Sequence, residues 1–242
     1  MATIPRLDNI IAVRTENPKS CTMLDTFLEN LGAQPLLPQS HIDYLLSLKA
    51  SGFNPKVIYD VGACVLHWTN IASRIWPDAT IYVFDAYPYA ENLYKKRKIE
   101  YHIGILSNKD DDVKKFYQNI MNPGGNSYLQ ELHNNSALFP EDKAVEMKTA
   151  TLDTIVKQRG FPPPDLIKCD VQGAEIDIVS GAKETLKNTK YMILELQHIS
   201  YNKGAPMADQ AIEVLKKDNW VCIAPRFSAA VVDADYCFTR NM

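Results

Sequence analysis

Hydrophobic positions change their spacing once along this chain, near residue 56. Before that point they recur at helical intervals: Met23, Leu24, Phe27, Leu28 and Leu31 fall three and four apart, and a second stripe runs through HIDYLLSLKA. Residues 1–55 therefore read as a helical cap or lid segment. From Lys56 onward short β-branched and aromatic runs alternate with amphipathic stretches, the order expected of repeated βα units around a parallel sheet. The runs are VIYDVG, TIYVFDA, EYHIGIL, DLIKCDV, YMILELQ, WVCIAP and DYCFTR. Between the third and the fourth lies a polar insertion, about 107–149, holding KKFYQNI, the turn NPGGNSY and VEMKTA; it predicts an edge hairpin or a substrate loop. The last two runs are joined by RFSAAVVDA, too short for a right-handed crossover, so they predict an antiparallel hairpin at the sheet's end. Phe161-Pro162-Pro163-Pro164 reads as a rigid turn feeding a strand. The expected fold is one α/β domain over 56–242, with a mostly parallel seven-stranded sheet, a C-terminal antiparallel hairpin and helices on both faces.

Composition changes this picture little. With 242 residues, 46% hydrophobic and 23% charged, the chain buries one substantial core. The formal net charge of −3 provides no field that attracts a polyphosphate, so nucleic acid is not an expected partner. Lys95-Lys96-Arg97-Lys98 lacks interleaved aromatics and reads as a solvated helix face. The five cysteines, Cys21, Cys64, Cys169, Cys222 and Cys237, form no CxxC pair and read as buried free thiols. No run approaches the ~20 apolar residues of a membrane span, and the N-terminus has no apolar secretion signal, so a cytoplasmic protein is expected. In that setting Asn134-Asn135-Ser136 is a chance glycosylation match.

Candidate chemistry begins at Val57-Ile58-Tyr59-Asp60-Val61-Gly62-Ala63, an apolar strand ending in an acid and a small-residue turn. Ligands of open α/β sheets bind at the carboxyl ends of the strands, which puts Asp60 and Gly62 in position for a cofactor. A dinucleotide site would show further glycines, because a pyrophosphate must approach backbone N–H groups at a helix N-terminus. Here Leu66 stands where another glycine would be, and its bulk favours a phosphate-free cofactor such as S-adenosylmethionine over NAD. The second strand ends in Asp85, 25 residues after Asp60, near the spacing of a ribose-binding acid. Either acid alone also reads as an N-cap.

Taken in order, DVGACVLHWT, VFDAYP, TLDTIVKQRG, LIKCDVQGAEIDIVSGAKETL and ILELQH resemble the successive signatures of FkbM-type methyltransferases, from about Val57 to His198. The block Lys168-Cys169-Asp170-Val171-Gln172-Gly173-Ala174-Glu175 is the most specific. The family's usual first motif is Asp-Val-Gly-Ala-Asn-x-Gly, and this chain departs from it with Cys64 for the Asn and Leu66 for the Gly. The resemblance implies a Rossmann-like class I methyltransferase fold and an S-adenosylmethionine-dependent O-methyltransferase acting on a hydroxyl of a sugar or glycan. The cofactor set is then Asp60, Gly62, Ala63, Asp85, Ala86, Ser107 and Asp170.

Methyl transfer requires the acceptor oxygen in line with the S–CH3 bond, so most of the catalysis is positioning, and a base that takes the hydroxyl proton adds ~10²–10⁴-fold. Asp170, Glu195 and His198 end the fourth and fifth strands and are the expected catalytic groups; Asp170 is best placed, and His198 has the most suitable unperturbed pKa. Lys168, Glu175, Asn126 and Ser127 are the expected substrate-side residues. Lys168 also reads as an ion-paired strand residue and Glu175 as a first-turn acid. His67 and Trp68 line the cofactor pocket or pack beneath the first helix, and Tyr128, Trp220 and Tyr201 are available to stack on a pyranose. Asp170, Glu195 and His198 would also suit a hard metal, which the resemblance does not require, and no metal is assigned. The contrasting reading is a catalytically silent module binding a nucleotide-like ligand or a partner glycosyltransferase, suggested by the eroded turn at Cys64 and Leu66. RNA methylation is disfavoured by the acidic balance.

Overall fold

The computed structural model describes residues 18–34, 37–132 and 136–240. Two helices, α1 (Pro18–Gly32) and α2 (Gln39–Ala50), precede the first strand. The main sheet contains β1 (Val57–Val61), β2 (Thr80–Asp85), β3 (Glu100–Ile103), β7 (Leu166–Cys169), β8 (Tyr191–Gln197), β9 (Trp220–Ala229) and β10 (Asp233–Arg240). Its order is β3-β2-β1-β7-β8-β10-β9. The first five strands are parallel, and β10 runs antiparallel to both β8 and β9. The expected seven strands and terminal hairpin are therefore present. The hairpin is tighter than the run lengths implied: β9 continues through Arg226 and Phe227 to Ala229, with a register shift near Asp235 and a left-handed Arg226 at φ 50°.

Alternation along the strands feeds two apolar layers. Tyr59, Val61, Ile167, Cys169, Leu194 and Leu196 pack with α5 (Leu152–Arg159), α6 (Glu175–Ser180) and α7 (Ala208–Lys217). Ile58, Leu166 and Ile193 face the other way, against α2 and α3 (His67–Ile75). On that side α1 packs with α4 (Glu91–Arg97) around Leu24, Leu28, Leu66, Leu93 and Tyr94. Lys95 and Lys96 pair with Glu91 and Glu29 on exposed helix faces, as solvated charges do.

EYHIGIL does not form one strand. Gly104 breaks it, and Ile105–Leu106 becomes β4 of a second sheet with β5 (Val113–Phe116) and β6 (Val145–Ala150), in the order β4-β6-β5. The insertion thus holds the expected antiparallel pair, β5 with β6, and the segment between them folds back so that Tyr117 and Ser127 bridge. Cys169 and Cys237 are buried free thiols, Cys64 and Cys222 are only partly covered, and the side chain of Cys21 lies outside the described residues, as does Asn134-Asn135. Among the described residues no helix is long and apolar enough to cross a membrane.

Strand order creates the functional crevice. Chain connections leave β1 toward β2 and β3 on one side, while β7 and β8 lie on the other, so β1 and β7 flank a topological switch point. Register aligns their ends, Asp60 opposite Lys168 and Val61 opposite Cys169, and Asp170 N–H donates to Val61 O at 2.9 Å. Gly62 sits where the two ends meet, at φ +83°, and a Cβ there would fall 1.8 Å from the Asp170 carbonyl oxygen. Only glycine fits this junction.

Candidate active site

A cavity of about 280 Å³ opens at this junction, bounded by the β1 turn, the end of β2, the insertion, β7, β8 and the β9–β10 hairpin. Gly62, Ala63, Cys64, Asp85 and Ala86 form one wall. Asp85 is anchored there: its Oδ2 accepts from Cys64 N–H at 2.6 Å and its Oδ1 from Tyr87 N–H at 2.7 Å. Burial nevertheless pushes its carboxyl up to about 6, outweighing those bonds. Backbone N–H groups of Tyr87, Cys64 and Ala86 leave the carboxylate capacity for a further donor. Cys64 and Leu66, at φ 47° and 72°, hold the left-handed conformations that Asn and Gly adopt most readily, so the turn keeps its shape with substituted residues.

Across the cavity stand Lys168, Asp170 and Glu195. Lys168 is 3% exposed, with its Nζ 3.0 Å from Asp170 Oδ2 and 3.7 Å from Asp235 Oδ1. Gln172, left-handed at φ 58°, donates from one Nε2 to Asp170 Oδ1 at 2.9 Å and to Glu195 Oε2 at 2.8 Å. Burial acts to raise the Asp170 carboxyl, but the Lys168 charge and hydrogen bonds from Glu195, Lys168 and Gln172 prevail and hold it below the ordinary range. Glu195 goes the other way, well above its ordinary value, through burial and repulsion from Asp170. The two shifts are opposed, so of the pair Asp170 is the group that ionises more readily and Glu195 the one that holds its proton more tightly. Asp233 also lines the cavity, raised by burial and by Asp170, and accepts from Tyr201 O–H at 3.2 Å.

The remaining wall comes from the insertion and from α2. Asn126, Ser127 and Tyr128 all line the cavity. Ser127 O–H donates to Gln172 O at 2.9 Å, tying the loop to the β7 motif. Asn126 Oδ1 accepts from Asn119 N–H, while its buried Nδ2 has no partner. From α2, His41 reaches the cavity at 1% exposure, with its ring between Trp68 and Asp235. Among the described residues, five carboxyl groups, those of Asp85, Asp170, Glu195, Asp233 and Asp235, line a cavity in which Lys168 is the single lysine or arginine. Such a wall suits a ligand that carries positive charge and hydroxyl donors.

A family model described as the methyltransferase FkbM domain matches residues 60–219, which span β1 to the end of α7 and include the whole Asp85, Lys168, Asp170 and Glu195 array. The chain belongs to the FkbM methyltransferase family. This FkbM protein is 32% identical over 85 residues to the 2-O-methyltransferase NoeI of Sinorhizobium fredii, a stretch that is 35% of this chain and 35% of that protein. Among solved structures, an O-methyltransferase family protein from Burkholderia thailandensis matches with TM-score 0.50 at 9% identity, over 98% of this chain and 67% of that one. Magnesium protoporphyrin IX methyltransferase from Synechocystis PCC 6803, solved with bound SAM, matches with TM-score 0.45 at 10% identity over 100% of this chain and 86% of that one. The fold is that of class I methyltransferases.

Within this FkbM fold, Gly62, Ala63, Asp85, Ala86, Asp170, Lys168, Glu195, Asn126 and Ser127 are brought to one cavity, joined by His67, Trp68 and Tyr128. Other expectations need correction. Asp60 does not reach the cavity: 1% exposed, it points beneath the turn and accepts from Thr69 O–H at 2.5 Å, with burial raising its carboxyl to about 6. It shapes the turn and does not grip a ligand with Asp85. Ser107 is fully buried, its N–H donating to Ala150 O and its hydroxyl behind Tyr128, so it is not a cavity residue. Glu175 is also off the wall; its Oε1 accepts from Val171 N–H and Gly173 N–H, closing the loop before α6. His198 lies beside Tyr236, away from the cavity, with its ring lowered by burial and by Arg226, and the base role expected of it has no geometry to support it. Trp220 is core at the far end of β9, carrying Arg240 over its ring, and Tyr201 is 9% exposed below Gln172, so neither stacks on a ligand in the cavity. Leu66 points into the α1–α4 layer, so its bulk obstructs nothing in the cavity.

Sequence reasoning missed His41, Asp233 and Asp235. His41 was hidden in a helical apolar stripe, where a histidine passes for packing. Asp235 carried a signal, a carboxylate inside the run ADYCF of small and aromatic residues, which predicts a buried partner of opposite charge.

Proposed function

We propose that this chain is an S-adenosylmethionine-dependent O-methyltransferase acting on a hydroxyl of a sugar or glycan. The observation that carries the reading is the pairing, across one cavity, of the Gly62–Asp85 turn with Asp170, which Lys168 and Gln172 hold beside Glu195. The residues present fit the cofactor. The five-carboxyl wall favours its cationic sulfonium and ammonium, Asp85 has lone pairs for ribose hydroxyls, and the turn presents no group that would repel it. Bound there, S-adenosylmethionine supplies a methyl group activated by positive sulfur.

The protein's own part is to hold and deprotonate the acceptor. Asp170 would accept the proton of the acceptor hydroxyl as that oxygen takes up the methyl group, so that its negative charge would be neutralised together with the positive charge the cofactor brings, which a poorly solvated site favours. Lys168, 3.0 Å from Asp170 Oδ2, favours the ionised form of Asp170 until that moment. The unpartnered Nδ2 of Asn126 offers a donor, and the Tyr128 ring a face, to a hydroxyl-rich acceptor. Similarity to a 2-O-methyltransferase supports oxygen as the acceptor atom. The silent-module reading rested on Cys64 and Leu66. Against it, Leu66 packs between α1 and α4, and Cys64 and Leu66 both take the left-handed conformations of the turn.

The test is transfer of labelled methyl from S-adenosylmethionine to a panel of free, lipid-linked and protein-bound sugars, with product mass analysis. A gain of one methyl group on oxygen supports the reading, and S-adenosylhomocysteine binding without transfer to any hydroxyl would refute it.

A further inference from the structure

We propose that His41 and Asp235 are positioning residues of the methyl-transfer site: they keep the Lys168 ammonium on Asp170. The proposal rests on the reading of Asp170 as the proton acceptor. Its basis is a continuous chain of polar groups, buried from Trp68 to Lys168 and half-buried at Asp170 and Glu195, that runs from α3 through α2, β10 and β7 to β8.

Donor rules fix the direction of the chain. The Trp68 indole N–H can only donate, and at 2.8 Å it meets His41 Nε2, which must present its lone pair. The ring proton therefore sits on Nδ1 and is donated to Asp235 Oδ2 at 2.8 Å. His41 is 1% exposed and Asp235 8%, so water does not substitute for this bond. The other oxygen of Asp235, Oδ1, is buried, makes no hydrogen bond and stands 3.7 Å from Lys168 Nζ. Lys168 thus lies between two carboxylates but leans toward Asp170, at 3.0 Å. A carboxylate already satisfied by His41 competes weakly for the ammonium. Without that donor, Asp235 would hold an uncompensated buried charge and would draw Lys168 toward itself and away from Asp170.

Other charged groups form a common background. Asp170 is faced by Asp60 from β1, Asp85 of β2, Glu175 of α6, Glu195 of β8 and Asp233 of β10, with Lys168 as the one cation among the described residues. Asp235 is faced by His41, Lys168 and Asp233. Among the described residues, only the His41–Asp235 bond enters this array from the helices that precede the sheet. The segment before β1 is accordingly part of the reaction site.

The experiment is a carboxyl-carbon NMR titration of Asp170 and Glu195 in the ligand-free protein, paired with the pH profile of methyl transfer. In His41→Ala the Asp170 midpoint should rise by about one unit, the scale of a weakened ion pair. The acidic limb of kcat should move up equally, so that kcat falls about tenfold at low pH and recovers at high pH. His41→Asn, whose amide can still donate to Asp235, should restore the wild-type midpoint. Asp235→Asn, a near-isosteric change that removes the competing charge, should leave the midpoint unchanged or lower it. An unmoved Asp170 midpoint in His41→Ala overturns the proposal, as does an Asn variant that behaves like Ala. Loss of methyl transfer in the wild type with the NMR shift intact would instead refute the reading of the reaction and leave the positioning chain standing.

Discussion

Replacing Glu175 by Gln should make the protein more stable, by an amount that grows with pH. Glu175 is 3% exposed, and the loop before α6 closes on one of its oxygens, Oε1, which accepts from Val171 N–H at 2.9 Å and Gly173 N–H at 3.1 Å. A glutamine Oε1 can accept both bonds, so the loop geometry is kept while the charge is removed. Burial, with repulsion from Asp170, raises this carboxyl from 4.5 to about 7 in spite of the backbone donors. A folded-state pKa above the unfolded one means that the folded protein binds the proton more tightly. That advantage is fully present below pH 4.5 and is lost as pH rises through 7. The wild type should therefore lose about 3 kcal/mol from this group between pH 4 and pH 8, and the glutamine variant should not. The assay is urea unfolding of both proteins from pH 5 to pH 8. The variant's advantage should be below about 1 kcal/mol at pH 5 and about 3 kcal/mol at pH 8. A constant difference across that range, or a variant less stable at pH 8, would refute the reasoning.

Other outcomes follow from the site. Asp170→Asn should lower kcat by ~10²–10⁴-fold with S-adenosylhomocysteine affinity held within a few fold, whereas His198→Ala should leave kcat within about twofold; steady-state kinetics and calorimetry check both. Leu66→Gly relieves a left-handed residue but removes a buried leucine, so chemical unfolding should show a net loss of roughly 1–2 kcal/mol, and ligand affinity should not change because Leu66 faces α1 and α4. A gain in affinity there would restore the idea that its bulk obstructs the cavity.

Much of this was legible in the chain because parallel strands buried on both faces leave continuous apolar runs, and because acids at their carboxyl ends stand out against those runs. Asp85, Asp170 and Glu195 were found in this way. Which way a terminal acid points was not legible: Asp60 and Asp85 end adjacent strands, yet Asp60 turns under to Thr69 while Asp85 faces the cavity. The difference depends on how β1 and β2 align and on what α3 offers, a hydroxyl at Thr69, which no local pattern encodes. Position Gly104 reads as mid-strand in EYHIGIL, but its N–H is drawn to Asp85 O, and the chain leaves the main sheet there. His41 and Asp235 are 194 residues apart in sequence, and only tertiary packing of α2 on β10 joins them.

The central claim is that Asp85 and the Gly62 turn hold S-adenosylmethionine beside Asp170. Isothermal calorimetry of the full chain with S-adenosylhomocysteine tests it most directly. The account predicts micromolar binding by the wild type and a loss of roughly 10–100-fold in Asp85→Ala, the scale of charge-assisted hydrogen bonds. Absence of binding at saturating ligand, or binding that Asp85→Ala leaves untouched, would contradict it.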